Sequence, residues 1–219
     1  MKHLRTMKVI VAATLTLGFA TWGWAQDANA LLSKLSEQAK SYGSIEATYT
    51  STMVDKVSDF EATQSGTIYV DGSKYSLDIG DYLIISDGVT IWTYEPAVND
   101  CYVDDAEMMA EDGMDPSKLF TIWEDDFKNE WKGTATVNGE ELTQINLYPL
   151  AGDDKPFHTI QLYISEKDLE LRRAIVKGRE GTDVTYDVGS FKPQAEVPTS
   201  TFTFDPAKFP GVNIVDNRI

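Results

Sequence analysis

Between Thr67 and Glu95 the chain repeats one unit three times: a β-rich run, a two-residue turn dipeptide, then another β-rich run. The turns are Asp71-Gly72, Gly80-Asp81 and Asp87-Gly88. Such short connections join only antiparallel neighbours, so this stretch must be a β-meander. Asp87-Gly88 predicts a type I′ turn, which needs positive φ at both central residues. Glu95-Pro96 then ends the last run, because proline offers no amide to the ladder. Residues flanking a two-residue turn lie opposite each other and share a face. Pairing Val70 with Ser73, Ile79 with Tyr82 and Ser86 with Val89 collects Ile68, Val70, Tyr75, Leu77 and Ile79 on one face, with Tyr82, Ile84, Val89 and Ile91. This almost wholly apolar face is expected to look inward. The other face is mixed, with Lys74, Ser76 and Asp78 beside Leu83, Ile85, Trp92 and Tyr94.

The remaining elements follow the same logic. Asp27–Tyr42 places Ala28, Leu31, Leu32, Leu35 and Ala39 at helical spacing, which predicts an amphipathic helix whose stripe must lie on something. Ser44–Met53 alternates as a half-buried strand, and residues 54–64 are polar and ambiguous. Residues 104–111 and 117–123 read as two short helices, the second with Leu119, Phe120 and Trp123 on one side. Strands resume at Phe127, turn at Asn138-Gly139, and continue through Glu141–Tyr148, Phe157–Ser165, Glu170–Lys177 and Thr182–Phe191. The expectation is a mainly β (α+β) fold: an unclosed antiparallel β-barrel of about eleven strands, its concave apolar face lidded by three helices. A curled sheet of this size encloses space that three short helices fill thinly. Two readings stay open: an apolar cavity suited to an acyl chain, or a core filled by Tyr, Trp and Met.

The first 25 residues read as a leader. Lys2, Arg5 and Lys8 precede a continuous run of apolar and small residues, Val9–Ala20, and Gly23 and Ala25 supply small residues before a cut at Gln26. This predicts export to the periplasm as a single domain over residues 26–219, with no cysteine at the new N-terminus to be lipidated. Loss of the three leader cations takes the formal charge from −16 to −19. A surface so acidic repels nucleic acid and anionic headgroups. The one cysteine, Cys101, excludes an internal disulfide and is expected to be buried as a small hydrophobe.

Catalytic constellations are thin. Beyond the leader there is one histidine, His158, in register with Ile160 and Leu162, where a strand histidine is the ordinary reading. There is no phosphate-binding loop, dinucleotide fingerprint or paired-histidine zinc motif. The acidic clusters 104–107, 111–112 and 124–126 lack the spacing of a calcium loop. No catalytic residue, metal or cofactor is expected, and the chain reads as a non-enzyme.

A leading helix ending Tyr42-Gly43-Ser44, the run Gly66–Val70, and above all Ser86-Asp87-Gly88 followed by Trp92, Tyr94 and Pro96 resemble the periplasmic outer-membrane lipoprotein carrier (LolA) family. So does the ending, Phe202-Thr203-Phe204-Asp205-Pro206 with Pro210-Gly211-Val212. The resemblance implies an incomplete β-barrel that accepts triacylated lipoproteins from an inner-membrane ABC transporter. A monomeric carrier of this kind shields their acyl chains and delivers them to an outer-membrane lipoprotein receptor. It also implies lining positions at Leu77, Ile79, Ile84, Leu119 and Phe120. Together with the inward face and the helix stripe, the expected acyl-chain cavity comprises Ile68, Tyr75, Leu77, Ile79, Ile84, Ile91, Leu119, Phe120, Trp123 and Leu35. Carriers of the best-known type gate the lid with an arginine after the strand matching Thr67–Val70. Here Asp71-Gly72 stands in its place, which shifts lid closure onto apolar contacts from Leu119, Phe120 and Trp123. Rival readings are a lipid- or lipoprotein-sensing regulator of the same fold and a filled-core interaction protein.

Overall fold

The structure, a computed structural model, describes residues 22–107, 116–118, 120–124, 127–151 and 155–218. Its elements are α1 (Trp22–Ser41), β1 (Ser44–Asp55), β2 (Phe60–Asp71), β3 (Lys74–Asp78), β4 (Leu83–Ser86), β5 (Thr90–Glu95) and β6 (Asp100–Asp105). They continue with β7 (Phe127–Val137), β8 (Glu140–Pro149), β9 (Phe157–Ser165), β10 (Glu170–Gly178), β11 (Thr182–Pro193) and β12 (Asn213–Asp216). All twelve strands form one unclosed sheet in the order β12-β6-β5-β4-β3-β2-β1-β11-β10-β9-β8-β7. Every pairing is antiparallel except β12 with β6. The sheet is two consecutive meanders, β1–β6 and β7–β11, joined where β1 meets β11.

Sequence patterning misjudged two regions: one lengthens β1 and β2, and the other holds β6, the strand that takes the count beyond the expected eleven. The ambiguous segment 54–64 completes a long hairpin in continuous register from Ser44↔Asp71 to Asp55↔Phe60. Its turn is set by the Asp55 carboxylate, which accepts the Val57 amide at 2.8 Å and the Ser58 hydroxyl at 2.6 Å. Asp104 and Asp105, expected to open a helix, instead end β6, opposite Ile91 and Thr90. Residues 108–115 of that stretch lie outside the described residues. The other expected lid helix is two 3-10 turns, Pro116–Lys118 and Ile122–Glu124, so α1 is the one long helix among the described residues. That helix also begins earlier than expected, at Trp22 rather than Asp27.

Across Gly80-Asp81 the register is as turn counting expects, with Leu77 opposite Ile84, but the other two meander registers differ from it by two. Asp71 pairs with Lys74 and Ser86 with Ile91, not Val70 with Ser73 and Ser86 with Val89. A shift of two preserves side-chain parity, so Ile68, Val70, Tyr75, Leu77, Ile84 and Ile91 do share a face. Gly88 has φ 93° but Asp87 is not left-handed, so that turn is not type I′. Asp87 instead caps it by accepting the Val89 and Thr90 amides at 2.9 and 2.8 Å. The loop then carries Val89 to the surface, 72% exposed, and Tyr82 is also exposed at 37%. Asn138-Gly139 does have positive φ at both residues, 53° and 84°, the type I′ signature.

Both faces of the meander are covered. On the inner face Ala28, Leu31, Leu32 and Leu35 of α1 pack with Ile145, Leu147, Ile160, Leu162 and Ile164, while Phe120 joins Ile45, Ala47, Ile68 and Val70. Each fully buried leucine or isoleucine contributes roughly 1.5–3 kcal/mol. On the outer face Phe204 packs with Ile85, Cys101 and Val103, supported by Leu83, Trp92, Tyr94, Phe209 and Val212. Phe204 stacks on Phe209 at 4.8 Å and Tyr94 meets Phe209 at 4.4 Å. The mixed face is therefore a second, smaller core closed by residues 202–212. Cys101 is fully buried within it, and burial pushes its thiol pKa up to about 11.

Candidate functional site

The inner face is not filled. A cavity of about 270 Å³ lies between the sheet and the residues Pro116, Phe120 and Ile122. Its walls come from six adjacent strands. Ile68 and Leu77 stand on β2 and β3, and Ile79 follows β3. Ile160 and Leu162 on β9 with Leu171, Ala174 and Val176 on β10 form the opposite flank. Ala47, Thr48 and Tyr49 of β1 and Tyr186 and Val188 of β11 make the floor, and Pro116, Phe120 and Ile122 the roof. Cross-strand register explains the continuity. Ala47 faces Ile68, Ile68 faces Leu77, Ala174 faces both Leu162 and Tyr186, and Val176 faces Ile160.

Of the residues expected from sequence, Ile68, Leu77, Ile79 and Phe120 line this cavity. Tyr75 and Ile91 are buried in the adjoining apolar cluster, with Ile84 packed on it, and do not reach the cavity wall. Leu35 and Trp123 belong to the core around α1 and border a smaller void, about 20 Å³, beside Phe120 and Phe191. Leu119 lies outside the described residues. Sequence reading missed the whole β9–β11 flank and the β1 floor. Alternation marked Ile160 and Leu162 as half-buried strand positions, but the neighbour of β1 is a strand well over a hundred residues away.

The roof is latched to α1 by polar contacts as well as apolar ones. The Trp123 indole, 4% exposed, donates to the Ser36 hydroxyl at 2.8 Å and to the Leu32 carbonyl at 3.1 Å. Lys40 bonds the Glu124 carboxylate at 2.6 Å and holds its pKa below the usual range. The turn at the expected arginine position is Asp71–Lys74, with Gly72 at φ 61°. The floor has its own device. Ala47 pairs with Phe191 but Tyr49 with Val188, so Gly189 and Ser190 form a β-bulge opposite Thr48. Thr48 Oγ1 accepts the Ser190 amide at 2.8 Å across it. Gly66 lets the end of the Tyr49 ring come close to β2, because a Cβ there would stand 2.5 Å from the Tyr49 hydroxyl. That hydroxyl reaches the Asp78 carbonyl at 3.1 Å. Burial, with Tyr186 and Asp78 adding, pushes the Tyr49 pKa up to about 12.

An incomplete antiparallel barrel wrapped around an apolar cavity, roofed by short segments and one helix, is the class of protein these elements define. The family described as "Outer membrane lipoprotein carrier protein LolA" matches by sequence profile over residues 43–205, and the chain belongs to that family. No curated protein sequence matches the chain. Among solved structures it is similar to an uncharacterized conserved protein from Thermus thermophilus, with 11% identity and a TM-score of 0.56 over 88% of this chain and 100% of the other. A LolA superfamily protein from Nitrosomonas europaea aligns with 11% identity and a TM-score of 0.44, covering 81% and 97%. The Mycobacterium tuberculosis lipoprotein LppX aligns with 16% identity and a TM-score of 0.48, covering 78% and 98%. The Thermus thermophilus likeness shows the shared fold; the family membership rests on the sequence profile.

Proposed function

We propose that this protein is a non-catalytic periplasmic carrier that shields the acyl chains of lipoproteins between an inner-membrane donor and an outer-membrane acceptor. The observation that carries this reading is the cavity of about 270 Å³ bounded almost entirely by aliphatic and aromatic side chains, in a member of the LolA family. Burying an acyl chain gains about 0.8 kcal/mol per methylene, so a ligand of this kind has ample reason to enter. The volume falls just below the range of about 300–1,000 Å³ typical of small-molecule sites. A triacylated anchor exceeds this volume, so its entry requires the roof residues Phe120 and Ile122 to move aside. The leader-like N-terminus supports export, and the family supports lipoprotein as cargo.

The test is titration of the purified protein with a triacylated lipopeptide, followed by gel filtration and tryptophan emission. Saturable co-elution, lost in folded Leu77→Glu and Leu162→Glu variants, is the expected result. Absence of binding to folded wild-type protein by monomeric lipopeptide would end the carrier reading.

A further inference from the structure

The cavity wall carries three hydroxyls and, among the described residues, no charged side chain. Two of the hydroxyls are engaged. Thr48 Oγ1 accepts the Ser190 amide and lies 2.9 Å from the Ser190 hydroxyl, and the Tyr49 hydroxyl donates to the Asp78 carbonyl. The third belongs to Tyr186, whose hydroxyl has no hydrogen-bond partner among the described residues.

Tyr186 stands on β11 between Ser51 of β1 and Ala174 of β10. These small neighbours leave room for its ring, which tilts against that of Tyr49 with centroids 6.2 Å apart. Burial raises the pKa of both phenols, so each is a neutral O–H at physiological pH. A phenol in an apolar enclosure wants an acceptor. Methylenes supply none, but the linkage at the head of an acyl chain does, in its carbonyl oxygen. A free fatty acid also carries acceptor oxygens, yet ionised it would bring a charge into a cavity with no cation to meet it. The Asp78 carboxylate, close enough to raise the Tyr49 pKa, would repel it further.

We propose that the Tyr186 hydroxyl donates to the carbonyl oxygen of a linked, uncharged acyl chain, so that the cavity selects esterified chains over free fatty acids. This rests on the acyl-chain reading above and assigns a polar anchor within it. Displacement of bound Nile red at pH 8 by three monomeric twelve-carbon probes tests it: methyl laurate, dodecyl methyl thioether and laurate. In wild-type protein the ester is expected to outcompete the thioether, whose sulfur is only a weak acceptor, by about two- to ten-fold, the worth of one hydrogen bond. It is expected to outcompete laurate by more than about ten-fold. Tyr186→Phe should bring the ratio of ester to thioether affinity close to one, whatever it does to both affinities together. Equal displacement by ester and thioether in wild-type protein overturns the proposal without any variant. So does an ester advantage that survives in Tyr186→Phe, or laurate binding as tightly as the ester. Those outcomes leave the acyl-chain reading standing. Failure of Nile red and all three probes to bind would bring down both.

Discussion

Trp123→Phe is the most informative single change to the roof. It keeps an aromatic ring in the pocket but removes the one indole N–H that bridges Ser36 and Leu32. Loss of that bond costs about 0.5–1.5 kcal/mol. The smaller ring leaves an unfilled space in a site only 4% exposed, adding about 1 kcal/mol or more. Together these come to about 2 kcal/mol, a shift of roughly thirty-fold in any equilibrium that separates residues 120–124 from α1. If the contact latches the roof, the amides of residues 120–124 should exchange about thirty-fold faster in hydrogen–deuterium exchange. Those of β8 and β9 should change only through global unfolding. Probe entry should also accelerate. Uniform loss of protection across roof and sheet, with no change in entry rate, would show that Trp123 is simply core and refute the latch.

Three further outcomes are expected. Gly66→Ala should lower stability by about 1–3 kcal/mol, read as a fall in Tm, because its Cβ would collide with the Asp78 carbonyl and also displace the Tyr49 ring. The Cys101 thiol should resist a disulfide reagent in native protein and react at the rate of unfolding, since it is 0% exposed with its pKa pushed up to about 11. Acid should loosen two joints. Lys40 lowers the pKa of Glu124; burial raises that of Asp183, but Lys177 and Lys56 outweigh it and leave it depressed. Depressed carboxylates give stability that is present above their unfolded values, about 4.3 and 3.9. That stability is lost as pH falls through the lower folded values, so Tm should drop below about pH 4 and Asp183→Asn should flatten the drop.

The inner face of the first meander was legible because side-chain parity survives any even register error. Turn chemistry was less legible: a type I′ turn needs positive φ at both central residues, and Asp87-Gly88 supplies it only at Gly88 while Asn138-Gly139 supplies it at both. The outer core went unread because Ile85 and Trp92 share their face with Lys74, Ser76 and Asp78, although Phe204 and Phe209 needed an apolar surface somewhere. In the cavity, residues of β2 and β3 followed from local pairing. Tyr49, Leu162, Leu171 and Tyr186 did not, because their proximity depends on β1 meeting β11, a pairing no local pattern encodes.

That seam has a kinetic consequence. Thr48 and Ser190 are 142 residues apart in the chain, against the few residues that separate neighbours across a hairpin turn. Closing so long a loop costs roughly 3 kcal/mol more chain entropy than closing a hairpin of about four residues. Both meanders can assemble hairpin by hairpin, and pulse-labelled amides within each meander should become protected before the β1 and β11 amides that bond across the seam. Until the seam closes, Ile68 and Leu77 on one half and Leu162, Leu171 and Val176 on the other face water as two separate apolar slopes. The cavity thus comes into being in the last step of folding, and the surface most prone to self-association in an unfinished chain is the one that later lines the cavity.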